Sequence, residues 1–166
     1  LKQLLDAFFK DDAFVESWKM HSAAKSVHHS FMGGLLQHTL RVTQLCYFLA
    51  LQYPAINRDL LLTAAICHDI GKTQELSDFP ENDYTDEGQL IGHIVIGYGM
   101  LKEKIRTIDG FPKKLENELL HCILSHHGEL EFGSPKLPSL IEACALAHAD
   151  DTDAKMQIFT EEFEKT

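Results

Sequence analysis

Apolar residues recur at helical spacing almost from end to end of this chain, and alternating β-branched runs hardly appear. Such a pattern can bury its apolar surface only as packed helices. The expected fold is all-α. Short helices are expected near 1–10 and 12–19, then a loop holding Ser26, His28, His29 and the pair Gly33-Gly34. A long helix follows to about Tyr53, closed by Pro54, and Asn57 is placed to cap a helix running to Asp69. Gly71 stands where a left-handed residue would stop that helix. Further helices are expected at about 90–108 and 113–127, the latter ended by Gly128. A last helix should start near Ser139, as its cap, and run through IEACALAHADDTDAKMQIF. Two connections are expected to be irregular. One, at about 73–89, is acidic and turn-rich; the other, at about 128–138, holds Pro135 and Pro138.

A chain of 166 residues is expected to make one domain, 1–166, around one core. Its 15 basic and 25 acidic residues give 15 − 25 = −10, so as a whole it repels nucleic acid and anionic membranes. A phosphate substrate would need a local positive site. Cys46, Cys67, Cys122 and Cys144 lie far apart in apolar helical contexts with no CxxC pair, which argues for buried reduced thiols in the cytoplasm and against a zinc ribbon. No apolar run approaches the roughly 18 residues of a membrane helix. The chain opens on Leu1 rather than methionine and ends on charged EEFEKT, the pattern expected of a piece of a longer polypeptide.

Ten histidines is a high count, and most of them fall in or at the ends of apolar helices, where an unpartnered imidazole is a liability. In RDLLLTAAICHDIGK the apolar run ends in His68 and Asp69, and a carboxylate at the negative end of a helix calls for a positive neighbour. Either Lys72 answers it or a divalent cation satisfies imidazole and carboxylate together. His38 shares the core-facing stripe of its helix with Leu35, Val42 and Leu45. His93 sits one turn into its helix, with Gly97 and Gly99 beyond it to permit close helix approach. His126 and His127 close a helix before Gly128, and Asp150 lies on the apolar stripe of the last helix, where a carboxylate is expensive unless paired with a cation. The order His, His-Asp, His, His-His, Asp over separate helices is what two cations a few ångströms apart require, with Asp69 between them. Such a pair suits in-line displacement at phosphorus.

His38, the pair His68-Asp69 and Asp150 resemble the H…HD…D signature of the HD superfamily of metal-dependent phosphohydrolases. HDIGK, His93 and the pair His126-His127 resemble its two-metal branch. Over about 28–155 the chain looks most like the HD domain of the YhaM-type 3′→5′ exoribonucleases of bacteria, through HHSFMGGLLQHTL, INRDLLLTAAICHDIGK, YTDEGQLIGH, ILSHHGELEFGSPKLP and AHADDTDAK. The resemblance implies an HD-type helical bundle in which His38, His68, Asp69 and Asp150 hold one metal. Asp69 would bridge to a second, held also by His93, His126 and His127, and Lys72 would face the scissile phosphate. Two divalent ions are implied, Mn²⁺ favoured, with Fe, Co, Ni or Zn also suited to this ligand set. Relatives carry an amino-terminal OB-like nucleic-acid-binding domain that this sequence lacks. The Gly-Tyr-Pro of cyclic-dinucleotide phosphodiesterases is not found after the histidine pair, which is followed by GELEFGSPKLP.

The activity expected is therefore hydrolysis of single-stranded RNA from its 3′ end by a hydroxide activated between two metals. The alternatives are hydrolysis of nucleotides or small phosphate esters, and a non-catalytic metal-binding regulatory domain. Lys72 is expected to stabilise the oxyanion, and His28 or His29 to approach the substrate or donate the leaving-group proton. Asp151 and Asp153 compete with Asp150 as ligand within one helical turn. His21 reads as a surface residue, and His121 and His148 as core or boundary packing.

Overall fold

The structure, a computed structural model, describes residues 1–26 and 29–166. His28 lies outside the described residues, with the role expected for it. Helices α1 (Lys2–Phe9) and α2 (Asp12–Met20) are joined at Asp11, whose carboxylate accepts from the Ala13 and Phe14 amides and caps α2. Leu4 and Phe8 of α1 enter the core, the Phe8 ring packing on Phe14 at 5.3 Å between centroids.

The centre of the molecule is α3 (Gly34–Gln52) packed on α4 (Arg58–Cys67) and on the long α9 (Ile141–Glu164). Val42 and Cys46, Leu60, Leu61, Ala64 and Ala65, and Ala143, Leu146 and Ala149 fill the space between them. Each fully buried leucine stabilises the fold by roughly 1.5–3 kcal/mol, and the alanines on α4 and α9 let these two helices approach closely. Helices α7 (His93–Arg106) and α8 (Lys113–Leu124) pack on each other and close the other side through Leu101, Ile105, Leu119 and Ile123. The all-α expectation holds: among the described residues an isolated bridge, Leu76 to Tyr84, is the extent of β pairing. No helix there is long and apolar enough to cross a membrane.

The differences from expectation are local. Helix α4 stops at Cys67, so His68 and Asp69 stand in the turn beyond it. Gly71 is right-handed, with φ −62° and ψ −21°. It is a glycine for another reason: a Cβ there would meet the His93 carbonyl oxygen at 2.0 Å. The segment 73–89 is irregular over 76–85, as expected, but its ends are helical, α5 (Lys72–Glu75) and α6 (Asp86–Leu90), the latter capped by Thr85. His21, expected at the surface, is 3% exposed and donates from Nε2 to the Leu76 carbonyl, pinning this segment to the end of α2. Helix α8 ends at Leu124, leaving His126 and His127 in the following turn, with Gly128 left-handed as expected at φ 81°. A short 3-10 turn, Leu130–Phe132, interrupts the next loop. Leu140 rather than Ser139 precedes α9; the Ser139 hydroxyl donates to the Leu137 carbonyl at 3.3 Å and its amide to His121 Nε2 at 2.9 Å. Cys144 and His148 face solvent.

Candidate metal centre

Five segments deliver their polar side chains to one buried place, and Asp69 lies at its middle, 2% exposed. Oδ2 of Asp69 faces His38 Nε2 at 3.4 Å and His68 Nε2 at 3.3 Å, with Asp150 Oδ1 2.9 Å from His38 Nε2. Oδ1 faces the other way, toward His93 Nε2 at 3.3 Å and His126 Nε2 at 3.4 Å. His93, His126 and His127 form one set of converging donor atoms, and His38, His68, Asp69 and Asp150 another.

The orientation of the rings is fixed from behind. Nδ1 of His68 contacts the Ala65 carbonyl oxygen at 2.6 Å, that of His126 the Ile123 oxygen at 2.6 Å, and that of His127 the Phe132 oxygen at 2.7 Å. A carbonyl oxygen can only accept, so each Nδ1 carries a hydrogen, which leaves Nε2 as the atom that takes up a proton or a cation. His38 and His93 are held instead by carboxylates, Asp153 Oδ2 at 2.7 Å and Glu75 Oε1 at 3.2 Å from their Nδ1 atoms. Backing of this kind is typical of metal-ligating imidazoles.

A pair of divalent cations fits this donor set. Asp69 Oδ1, His93 Nε2 and His126 Nε2 are buried with no hydrogen-bond partner, and three orphaned polar atoms converging on one point are costly unless something positive accepts their lone pairs. His38, His68, Asp69 and Asp150 would hold one ion, and His93, His126 and His127 the other, with Asp69 shared between them.

Burial and charge divide the two halves. Burial opposes the charged form of His68, but Asp69 and Asp150 raise its pKa to about 9; His38 is raised likewise against its burial by Asp150, Asp153 and Asp69. Burial pushes His126 down to about 4. Burial would raise Asp69, yet His68 and Lys72 hold its carboxyl well below the usual range. A cation entering the first set must therefore displace a proton from His68, and its affinity should climb by up to about tenfold per pH unit for each proton displaced, until about pH 9. The metal-free fold should respond oppositely. The raised His68 contributes stability fully present below its ordinary 6.5 and lost as the pH passes 9. Titration calorimetry in buffers of different ionisation heat, beside melts of the metal-free chain over pH 6.5 to 9, checks both signs.

Lys72 lies beside Asp69, with Nζ 3.0 Å from Oδ2 and donating to the Ala23 carbonyl at 2.7 Å. His29 is placed differently from expectation. It is buried behind His38, with Nε2 2.8 Å from Asp153 Oδ2 and Nδ1 3.1 Å from Gln37 Oε1, and so does not approach the substrate face. The glycine pair draws it in: a Cβ on Gly34 would lie 2.0 Å from the His29 carbonyl oxygen. Asp153 thus backs His38 while Asp150 faces the centre, and Asp151 is outside both donor sets. Glu75, which reaches His93 from a segment read as irregular, was not foreseen; a short helix ahead of His93 would have been the signal. Of the basic residues near 102–114, Lys102 and Lys113 pair with Glu116 and Lys114 with Glu118.

Comparison with known proteins identifies the family. A family model described as the HD domain matches residues 35–155. The chain is similar to the 3′-5′ exoribonuclease YhaM of Geobacillus sp. strain WCH70, 41% identical over 145 residues, covering 87% of this chain and 44% of the relative. It is also similar to the protein of that name from Bacillus subtilis strain 168, 40% identical over 147 residues, covering 87% and 46%. The chain thus spans less than half the length of these curated relatives. No solved structure gives a significant match.

Proposed function

The chain belongs to the HD-domain family, and from that premise we propose that it is a phosphodiesterase dependent on two divalent cations, acting on single-stranded RNA from the 3′ end. The observation that carries the reading is Asp69, buried, with one oxygen turned to His38 and His68 and the other to His93 and His126. Two cations bound there would supply Lewis-acid stabilisation of the phosphoryl oxygens and lower the pKa of an attacking water. The chain's own groups do the rest. Asp69 and Asp150 bring negative charge that offsets the cations, and the carbonyl-anchored imidazoles keep the donor geometry from relaxing as charge moves during displacement. Lys72, held against Asp69, keeps a positive charge at the edge of the centre that favours an anionic phosphoryl group. The low exposure of these side chains limits competing water and strengthens each charge interaction.

Manganese is the first cation to test, since imidazole and carboxylate donors accept it readily. A second reading, hydrolysis of nucleotides or small phosphate esters, is favoured by the net charge of −10, which works against a long polyanion. Incubation of a 5′-labelled RNA oligonucleotide with the purified chain and Mn²⁺ separates them. The proposed activity gives a ladder shortening from the 3′ end with release of nucleoside 5′-monophosphates. An inert oligonucleotide beside cleaved nucleotides would favour the small-ester reading. Tightly bound metal with no hydrolysis of any phosphoester would make this a binding domain. In the full-length protein an added RNA-binding domain, OB-like by the resemblance, would provide the grip that the acidic surface lacks.

A further inference from the structure

Against the metal centre lies a cleft of about 170 Å³ between α9 and the loop that follows α8. It adjoins the second half of the centre. His127, a donor of the second set, lines it directly; Asp151, on its α9 wall, adjoins Asp150 of the first set in sequence. The α9 wall presents Ala147, His148, Asp151 and Lys155 at helical spacing, and the loop wall presents Phe132 and Pro138. A cavity of about 150 Å³ holds one benzene-sized ring, so the space suits one ribose, with its base at the mouth against the exposed Phe132, rather than a duplex.

The loop wall is braced to the metal ligand. His127 donates from Nδ1 to the Phe132 carbonyl at 2.7 Å and from its amide to Ser134 Oγ at 3.0 Å. Gly128 packs so closely on α9 that a Cβ there would sit 3.4 Å from the Ala147 Cβ. Phe132 is nevertheless 63% exposed. An aromatic side chain held at a set distance from a metal ligand and left open on one face is a stacking platform for a base. Facing it, Asp151 accepts from Lys155 Nζ at 2.8 Å and keeps further acceptor capacity. A carboxylate accepts hydrogen bonds from hydroxyl groups, as in ribose recognition, and repels a phosphate.

We propose that this cleft seats the terminal nucleoside of the substrate, its free 2′- and 3′-hydroxyls toward Asp151 and its base on Phe132. The proposal rests on the phosphodiesterase reading and adds the end chemistry that reading leaves open. The seat admits a terminus that ends in a ribose diol and rejects one that ends in phosphate.

The test uses three 5′-labelled RNA oligonucleotides that differ only at the last nucleotide: a ribonucleotide with a free 3′-hydroxyl, its 2′-deoxy counterpart, and a 3′-phosphate. For the unaltered chain with Mn²⁺, kcat/KM should fall about tenfold for the deoxy terminus and about a hundredfold for the 3′-phosphate, the range of one or two charge-assisted contacts. Asp151→Asn should shrink the penalty on the 3′-phosphate about tenfold, and Phe132→Ala should raise KM for the free ribonucleotide end about tenfold, as stacking losses do. The end discrimination is a ratio within one preparation, so a change in folded fraction does not move it. Equal rates on all three ends, or ratios in Asp151→Asn identical to those of the unaltered chain, would overturn the cleft assignment. Hydrolysis of bis(p-nitrophenyl) phosphate, which has neither sugar nor 3′ end, tells which idea has failed. If that ester is cleaved while end discrimination is missing, the cleft alone is wrong; if no phosphoester is cleaved, both readings fall.

Discussion

Asp69→Asn is expected to empty the second cation position and to lower turnover about a thousandfold or more. The carboxylate serves the two halves with separate oxygens, Oδ2 toward His38, His68 and Lys72 and Oδ1 toward His93 and His126. An asparagine can serve only one of them with oxygen. Lys72 Nζ, 3.0 Å from Oδ2, can only donate, so it fixes the amide oxygen on its own side. The amide NH₂ then points at His93 and His126, and its hydrogens occupy the lone pairs a cation would need. Loss of one Lewis acid from a two-metal centre removes several kcal/mol of transition-state stabilisation, and each 1.36 kcal/mol is about a factor of ten in rate. Metal analysis of the purified variant should fall from two ions per chain to one. A variant that keeps both ions and the normal rate would sink the whole assignment.

Gly71→Ala should be nearly as damaging without touching a donor atom. The added methyl carbon would lie 2.0 Å from the His93 carbonyl oxygen and 2.7 Å from the Gly97 amide nitrogen, both backbone, so neither can swing away as a side chain would. Helix α7 must move outward, at a cost of about 3 kcal/mol or more, and His93 moves with it. For a chain of this length that corresponds to a melting temperature lower by roughly 6–12 °C. Binding of the second cation should weaken in parallel. Gly99 on the same helix supplies the contrast. Nothing lies within 4 Å of a Cβ placed there, so the close approach expected of it is absent, and it is Gly71, across from α7, that the packing requires to be glycine. Gly99→Ala should raise the melting temperature, since alanine is about 1 kcal/mol better than glycine inside a helix. Thermal melts of the two variants side by side, with metal titrations, check the pair.

What could be read from residues alone follows from the range of the interactions involved. Helix spacing is a local property, and so the stripe carrying His38 and the apolar runs of α4, α8 and α9 were legible. So was the convergence of His68, Asp69, His93, His126 and Asp150, because a buried imidazole or carboxylate is costly on any helix and each had to be satisfied by the others or by a cation. Contacts between distant segments were not legible. Gly71 looked like a helix stop because its partner, the backbone of α7, is remote in sequence. His29 looked like an open loop residue because the Gly34 packing that pulls it inward cannot be inferred from composition. Ser139 looked like a cap because its type suits one, but its hydroxyl turns back to the Leu137 carbonyl. Glu75 and Asp153 were overlooked as supports for the same reason: an acid behind a histidine is recognisable only once both are placed.

The anchoring of the five imidazoles has an evolutionary consequence. His68, His126 and His127 hang on main-chain oxygens, which no codon change at Ala65, Ile123 or Phe132 can delete, so their aim is inherited with the fold itself. His38 and His93 lean on replaceable side chains, Asp153 and Glu75, one for each half of the centre. A carboxylate behind an imidazole makes it a stronger electron donor. Drift at these two positions alone could therefore retune which transition metal a lineage prefers, half by half, while every ligand stays in place.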